Sequence, residues 1–172
     1  MIKLREIVTP HQYHICLDMD SVLTDFDRAF RKISDREVQT GWEYRETYGR
    51  DKFLNIVKNA GLEYWTTMSW MKGGKKLWQY IKSIDPNVEI LTAPLSIDKE
   101  TSRQGKIIWC QNNLGYNVNV IVEDEKYKYS GPNKILIDDL EKNTKPWIEH
   151  GGIAIQHINF QNTVSKLHEL GL

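Results

Sequence analysis

The stretch His14-Ile15-Cys16-Leu17-Asp18-Met19-Asp20 constrains this chain more than any other. Residues 15–17 are a short apolar run, which reads as a buried strand, and the run stops at a carboxylate. Side chains two apart on an extended backbone point to the same side, so Asp18 and Asp20 can face one cavity at the strand's C-terminal edge. Open α/β sheets bind ligands at that edge. Thr24 and Asp25 then supply N-cap chemistry for an amphipathic run over 26–33, giving the order strand, acidic turn, helix. Taken alone, such a pair can also end a strand and solvate a turn.

The rest of the chain supports the sheet. Apolar runs at 88–91, 118–122, 134–137 and 153–155 read as strands. Helical patterns cover 50–60, closed by Gly61, then 75–84, then 98–114, closed by Gly115, then 141–150 and 162–170. Alternation of this kind predicts an α/β fold with a Rossmann-like, doubly wound parallel sheet. Residues 1–12 have no clear period and read as an approach segment with a short edge strand at 2–7. Residues 62–71 are dense in aromatic side chains without a helical or strand period, and Lys72-Gly73-Gly74 punctuates them. The expected organisation is one domain over 1–172, with a core of about 1–25 and 73–172 and a mostly helical insertion at about 26–72.

Lys and Arg total 23, as do Asp and Glu, so no overall basic field draws the chain to a nucleic acid polymer or a membrane surface. A small polar substrate suits that balance better. Cys16 and Cys110 lie in apolar settings without metal or redox spacing and read as reduced core residues. Charges at Lys3, Arg5 and Glu6 come too early for a signal peptide, and no apolar stretch reaches the roughly 20 residues of a membrane span. A soluble cytoplasmic protein is therefore expected, with its oligomeric state open.

Three of the expected strands end in chemistry: Asp18 and Asp20 after the first, Thr92 after the second, Asp138 and Asp139 after the strand at 134–137. Hydrolysing a phosphate monoester by a covalent route needs a nucleophile, an acid, a cation and donors to the phosphoryl oxygens. Carboxylates gathered this closely repel unless a cation sits among them, and hard oxygen ligands suit Mg²⁺. Asp138 and Asp139 could instead form an Asx turn and helix cap, and Thr92 could be a strand-ending hydroxyl. No glycine-rich phosphate loop is present in the sequence.

Asp18-Met19-Asp20-Ser21-Val22 resembles the first motif, D-x-D-x-[TV], of the haloacid dehalogenase (HAD) superfamily of phosphatases. With Leu23 and Asp25 it looks most like the 5'(3')-deoxyribonucleotidase family, including small bacterial and phage members. Ile90-Leu91-Thr92-Ala93-Pro94 is similar to the second motif, Ile135-Leu136-Ile137-Asp138-Asp139 to the fourth. For the third, a helical lysine, Lys106 in Gly105-Lys106-Ile107-Ile108-Trp109 is the best match and Lys99 its competitor. The resemblance spans about residues 13–143 and implies a HAD-like core with a small cap over the active site. It also implies Mg²⁺-dependent hydrolysis of (deoxy)nucleoside monophosphates through an aspartyl phosphate. Asp18 would attack phosphorus, Asp20 would act as acid and base, and Thr92 and Lys106 would hold phosphoryl oxygens. Mg²⁺ would be held by Asp18, the backbone carbonyl of Asp20, Asp138 and Asp139, with Asp139 the direct ligand of the acidic pair. Tyr64, Trp65 and Trp70 would enclose a base or form the core of the cap. The alternatives are a phosphatase for a sugar phosphate or other small metabolite, and a non-catalytic protein that binds nucleotide or a partner.

Overall fold

The structure is a computed structural model and describes residues 13–172. The edge strand expected at 2–7 lies outside the described residues. Five parallel strands form one sheet in the order β3-β2-β1-β4-β5: β1 (His14–Leu17), β2 (Glu89–Thr92), β3 (Val120–Val122), β4 (Lys134–Asp138) and β5 (Ile153–Gln156). Among the described residues, the first strand in sequence is thus the central one. Leu17 pairs with Ile90 on one side and Ile137 on the other, which brings the ends of β1, β2 and β4 together.

Side-chain alternation divides the core. Ile15, Leu17, Ile90, Ile135 and Ile137 face one side, with Leu77 and Ile81 of α5 (Gly74–Ile84), Trp109 of α6 (Lys99–Leu114) and Leu167 of α8 (Phe160–Glu169). Cys16, Leu91 and Leu136 face the other, covered by Trp147 of α7 (Glu141–Glu149). Helices on both faces make the sheet doubly wound, as the alternation of strands and helices predicts.

Four helices fill the chain between β1 and α5: α1 (Phe26–Ile33), α2 (Gly41–Tyr48), α3 (Arg50–Asn59) and α4 (Gly61–Thr66). Asp25 caps α1 by accepting from Arg28 N–H, and Thr40 caps α2 by accepting from Glu43 N–H. Phe30, Tyr44, Leu54, Val57, Tyr64 and Trp65 from these helices belong to the same apolar cluster as Ile15 and Leu17. The inserted helices therefore share a core with the sheet.

Neither α2 nor α4 follows from hydrophobic period. Of its side chains α2 buries only Tyr44, so it has no apolar stripe, and α4 is six residues long with its buried pair, Tyr64 and Trp65, adjacent in sequence. The return to the core is tight. Met71 N–H donates to Leu23 O at 2.7 Å, and a Cβ at Gly74 would stand 2.8 Å from the same oxygen, so only glycine lets α5 start there.

Candidate active site

The turn after β1 sets the site. Asp18 N–H still donates to Ile137 O at 2.9 Å, the last ladder bond with β4. The chain then folds back, with Leu23 and Thr24 N–H both donating to Met19 O, and Ser21 takes a left-handed φ of 61°. A serine in that region stores backbone strain, as turns at functional sites often do. Both Asp18 and Asp20 line one cavity of about 380 Å³ at the C-terminal edge of the sheet. Thr24 Oγ1 donates to Asp20 Oδ1 at 3.3 Å.

The two carboxylates take different lysines. Asp18 Oδ1 lies 2.7 Å from the ammonium of Lys126, which also reaches Asp138 Oδ2 at 2.6 Å. Lys126 is 2 % exposed and sits on a 3₁₀ turn, Lys126–Tyr129, after β3. Burial alone would lower its pKa, but the Asp18 and Asp138 charges together outweigh that and raise it. Asp20 Oδ2 instead accepts from Lys106 at 2.6 Å. Lys106 is 1 % exposed and donates as well to Thr92 Oγ1 at 3.0 Å and Ala93 O at 2.6 Å. Its Nζ stands 5.1 Å from the Trp65 ring centroid. A Cβ at Gly105 would come within 2.4 Å of Trp65 Cβ, so glycine beside Lys106 is what lets α4 settle on α6.

The acidic pair divides its work. Asp138 is fully buried and already engaged: Oδ1 accepts from Leu140 N–H and Asn143 Nδ2, Oδ2 from Asn143 Nδ2 and Lys126. Among the described residues no neighbouring side chain donates to the Asp139 carboxylate. Burial first, then the Asp18 and Asp138 charges, push its pKa up to about 8. Carboxylate oxygens of Asp18, Asp138 and Asp139 lie within 4.8 Å of one another. Three carboxylates around one ammonium leave surplus negative charge. A hard divalent cation on Asp18 and Asp139 fits that donor set, with Asp138 bonded behind.

Thr92, Lys106, Trp65 and Asp139 line the same cavity as Asp18 and Asp20, so these sequence-derived site residues meet in space. Tyr64 and Trp70 do not line it. Tyr64 packs edge-on against Phe26 and Trp65, and Trp70 against Trp109 at 4.9 Å, which is the cap-core alternative of the two readings given for them. The aromatic wall is instead Phe26, Trp42, Phe53 and Trp65, with Arg45 over the Trp42 ring at 5.0 Å. Trp42 is 64 % exposed despite its size. Lys99, the competitor of Lys106, pairs with Asp124 at the exposed start of α6.

Sequence reasoning missed Lys126, Trp42, Arg45 and Asn143. Lys126 sits in Glu125-Lys126-Tyr127-Lys128-Tyr129, which reads as a charged surface loop and carries no sign of a buried ammonium. Asn143 has a weak signal, since it stands one helical turn after the acidic pair.

No protein-family model matches the chain, and no curated protein matches it. Solved structures do. A hydrolase from Streptococcus pneumoniae TIGR4 aligns over 91 % of this chain and 99 % of its own, at 12 % identity and a TM-score of 0.56. A HAD-superfamily hydrolase from Ehrlichia chaffeensis covers 92 % and 97 %, at 11 % identity and a TM-score of 0.53. A HAD-family hydrolase from Deinococcus radiodurans R1, solved with bound phosphate and sodium, covers 82 % and 78 %, at 9 % identity and a TM-score of 0.50. The chain therefore has the α/β fold of HAD-superfamily hydrolases, and at such low identity the likeness describes the fold.

Proposed function

We propose that the protein is a Mg²⁺-dependent phosphatase of small phosphomonoesters, with (deoxy)nucleoside monophosphates the favoured substrates. The observation that carries this reading is the pairing of Asp18 with Lys126 and of Asp20 with Lys106, itself bonded to Thr92, inside one cavity, beside the half-buried Asp139 carboxylate, to which no side chain among the described residues donates. The bound phosphate in the Deinococcus relative is consistent with it.

In this mechanism Asp18 attacks phosphorus, and the P–O bond to the leaving group breaks as the aspartyl phosphate forms. Asp20 protonates the leaving oxygen, then takes the proton from the water that cleaves the intermediate. Lys126 holds the Asp18 carboxylate in place from behind. Lys106 holds Asp20 and is itself braced by the Thr92 hydroxyl, and both can donate to phosphoryl oxygens. Bound to Asp18 and Asp139, Mg²⁺ would neutralise charge on the phosphoryl group. Phe26, Trp42, Phe53 and Trp65 give the leaving group an aromatic wall, which favours a planar base over a sugar.

The test is a panel of nucleoside monophosphates, sugar phosphates and p-nitrophenyl phosphate, assayed with Mg²⁺. Nucleotides should be hydrolysed with the highest kcat/KM, chelation should stop turnover, and Mg²⁺ should restore it. Full activity in excess chelator would overturn the metal requirement. A preference for sugar phosphates would overturn the nucleotide assignment while leaving the chemistry in place.

A further inference from the structure

At the end of β1 opposite the cavity, three side chains of metal-binding type meet on one face of the sheet. His14 and Cys16 are two apart on β1 and project to the same side, and Cys16 stands in register with Glu89 of β2. One ligand atom from each of the three lies within 4.8 Å of the others. His14 Nε2 is 2.8 Å from Glu89 Oε2. Both of these outer groups are held from behind: Asp85 Oδ2 lies 3.6 Å from His14 Nδ1, and Asn119 Nδ2 donates to Glu89 Oε1 at 2.6 Å. Asp85 is itself fixed by the N–H groups of Ile15 at 2.7 Å and Asn87 at 2.9 Å. Nε2 and Oε2 are thereby directed at one point beside a thiol. A carboxylate on the far side of the ring is a common outer partner of a metal-bound histidine.

We propose that His14, Cys16 and Glu89 form a second metal site, for Zn²⁺ or a metal of similar softness, joining the two central strands. A nitrogen, sulfur and oxygen donor set suits Zn²⁺ and does not suit Mg²⁺, so the site is chemically distinct from the one at Asp18 and Asp139. Tetrahedral bonds of about 2.0–2.2 Å put the nitrogen and oxygen ligands roughly 3.4 Å apart, so the His14–Glu89 pair need part by only about half an ångström. The His14 and Glu89 side chains are 32 % and 23 % exposed, so a fourth ligand can come from solvent. Water completes the coordination. Binding releases the Cys16 proton to solvent, and thiolate plus carboxylate balance the dication. Lys134, opposite His14 on β4, opposes the metal, and Asp85 offsets that charge. The site tethers β1 to β2 away from the phosphate cavity, so its effect falls on stability.

The test uses the full chain in excess Mg²⁺, which occupies the acidic site, with Co²⁺ as the spectroscopic probe. One equivalent of Co²⁺ should bind with a thiolate-to-metal charge-transfer band and the intense visible bands of a tetrahedral centre. Zn²⁺ should displace it and raise Tm. Cys16→Ser should remove the charge-transfer band, His14→Gln and Glu89→Gln should each weaken Zn²⁺ binding at least tenfold, and Asn119→Ala should weaken it by about tenfold. Binding without a charge-transfer band, or affinity unchanged in both His14→Gln and Glu89→Gln, would overturn the proposal. So would loss of binding in Asp139→Asn alone. Should Cys16→Ser fail to fold, the two partly exposed ligands still decide the outcome.

Discussion

At the scale of single residues, the two buried lysines set the expectations. Lys126 compensates carboxylates that water cannot reach, and removing one partner of a buried ion pair costs about 3–5 kcal/mol. Lys126→Met should therefore lower Tm by that equivalent and abolish turnover, measured by thermal unfolding and by phosphate release. Asp18→Asn keeps the shape of the side chain, so the circular dichroism spectrum should stay intact while turnover disappears. Asp20→Asn should instead slow both chemical steps. Near-normal phosphate release from Asp18→Asn would show that another group attacks phosphorus. The aromatic wall gives a further contrast: Trp42 is exposed over the cavity, whereas Trp70 packs against Trp109. Losing one stacked base costs about 1–3 kcal/mol. Trp42→Ala should reduce kcat/KM on a nucleotide by about one to two powers of ten and leave p-nitrophenyl phosphate nearly unaffected. Equal losses on both substrates would remove Trp42 from base recognition. Trp70→Ala should depress both together, with a fall in Tm.

At the scale of elements, the close contact of α4 with α6 carries Lys106 to its partners. Adding a Cβ at residue 105 forces it 2.4 Å from Trp65 Cβ, and overpacking of this kind costs about 1–3 kcal/mol. Gly105→Ala should lower Tm and displace Lys106 from Asp20 and Thr92, read out as a fall in kcat larger than the change in KM. Elements with a strong period were legible in the sequence: α1, α5 and α6 start and stop within a residue or two of their caps. Asp18, Asp20 and Thr92 could be brought to one place from the sequence because each stands at or just after the end of an apolar strand, whereas Lys106 was reached only through the resemblance to the third HAD motif. What period could not reveal was the short elements, α2, α4 and the turn at Lys126. Their burial is decided by tertiary neighbours, and a lysine that ends up between two aspartates looks like a surface lysine until β4 is in place.

At the scale of the whole molecule, Cys16 and Cys110 lie in the two apolar clusters on opposite faces of the sheet. Burial, the first cause for each, pushes both thiols up to about 12. Thiols of that kind are protonated and inert at neutral pH. In chelator, iodoacetamide should label neither in the native protein, and both should become labelled at one common rate on unfolding, followed by mass spectrometry. Labelling of one before the other would show that the two layers open separately. The sheet order has a consequence in time. Of its described strands β1 is made before the other four and lies at the centre, and one of its neighbours is β4, which ends in Asp138. During synthesis Asp18, the proposed nucleophile, is thus made long before its countercharge at Lys126 and the proposed metal ligand Asp139. On the proposed mechanism, a nascent chain on the ribosome has no competent site until Asp139 has emerged, so a chain broken off before that residue is chemically silent rather than partly active.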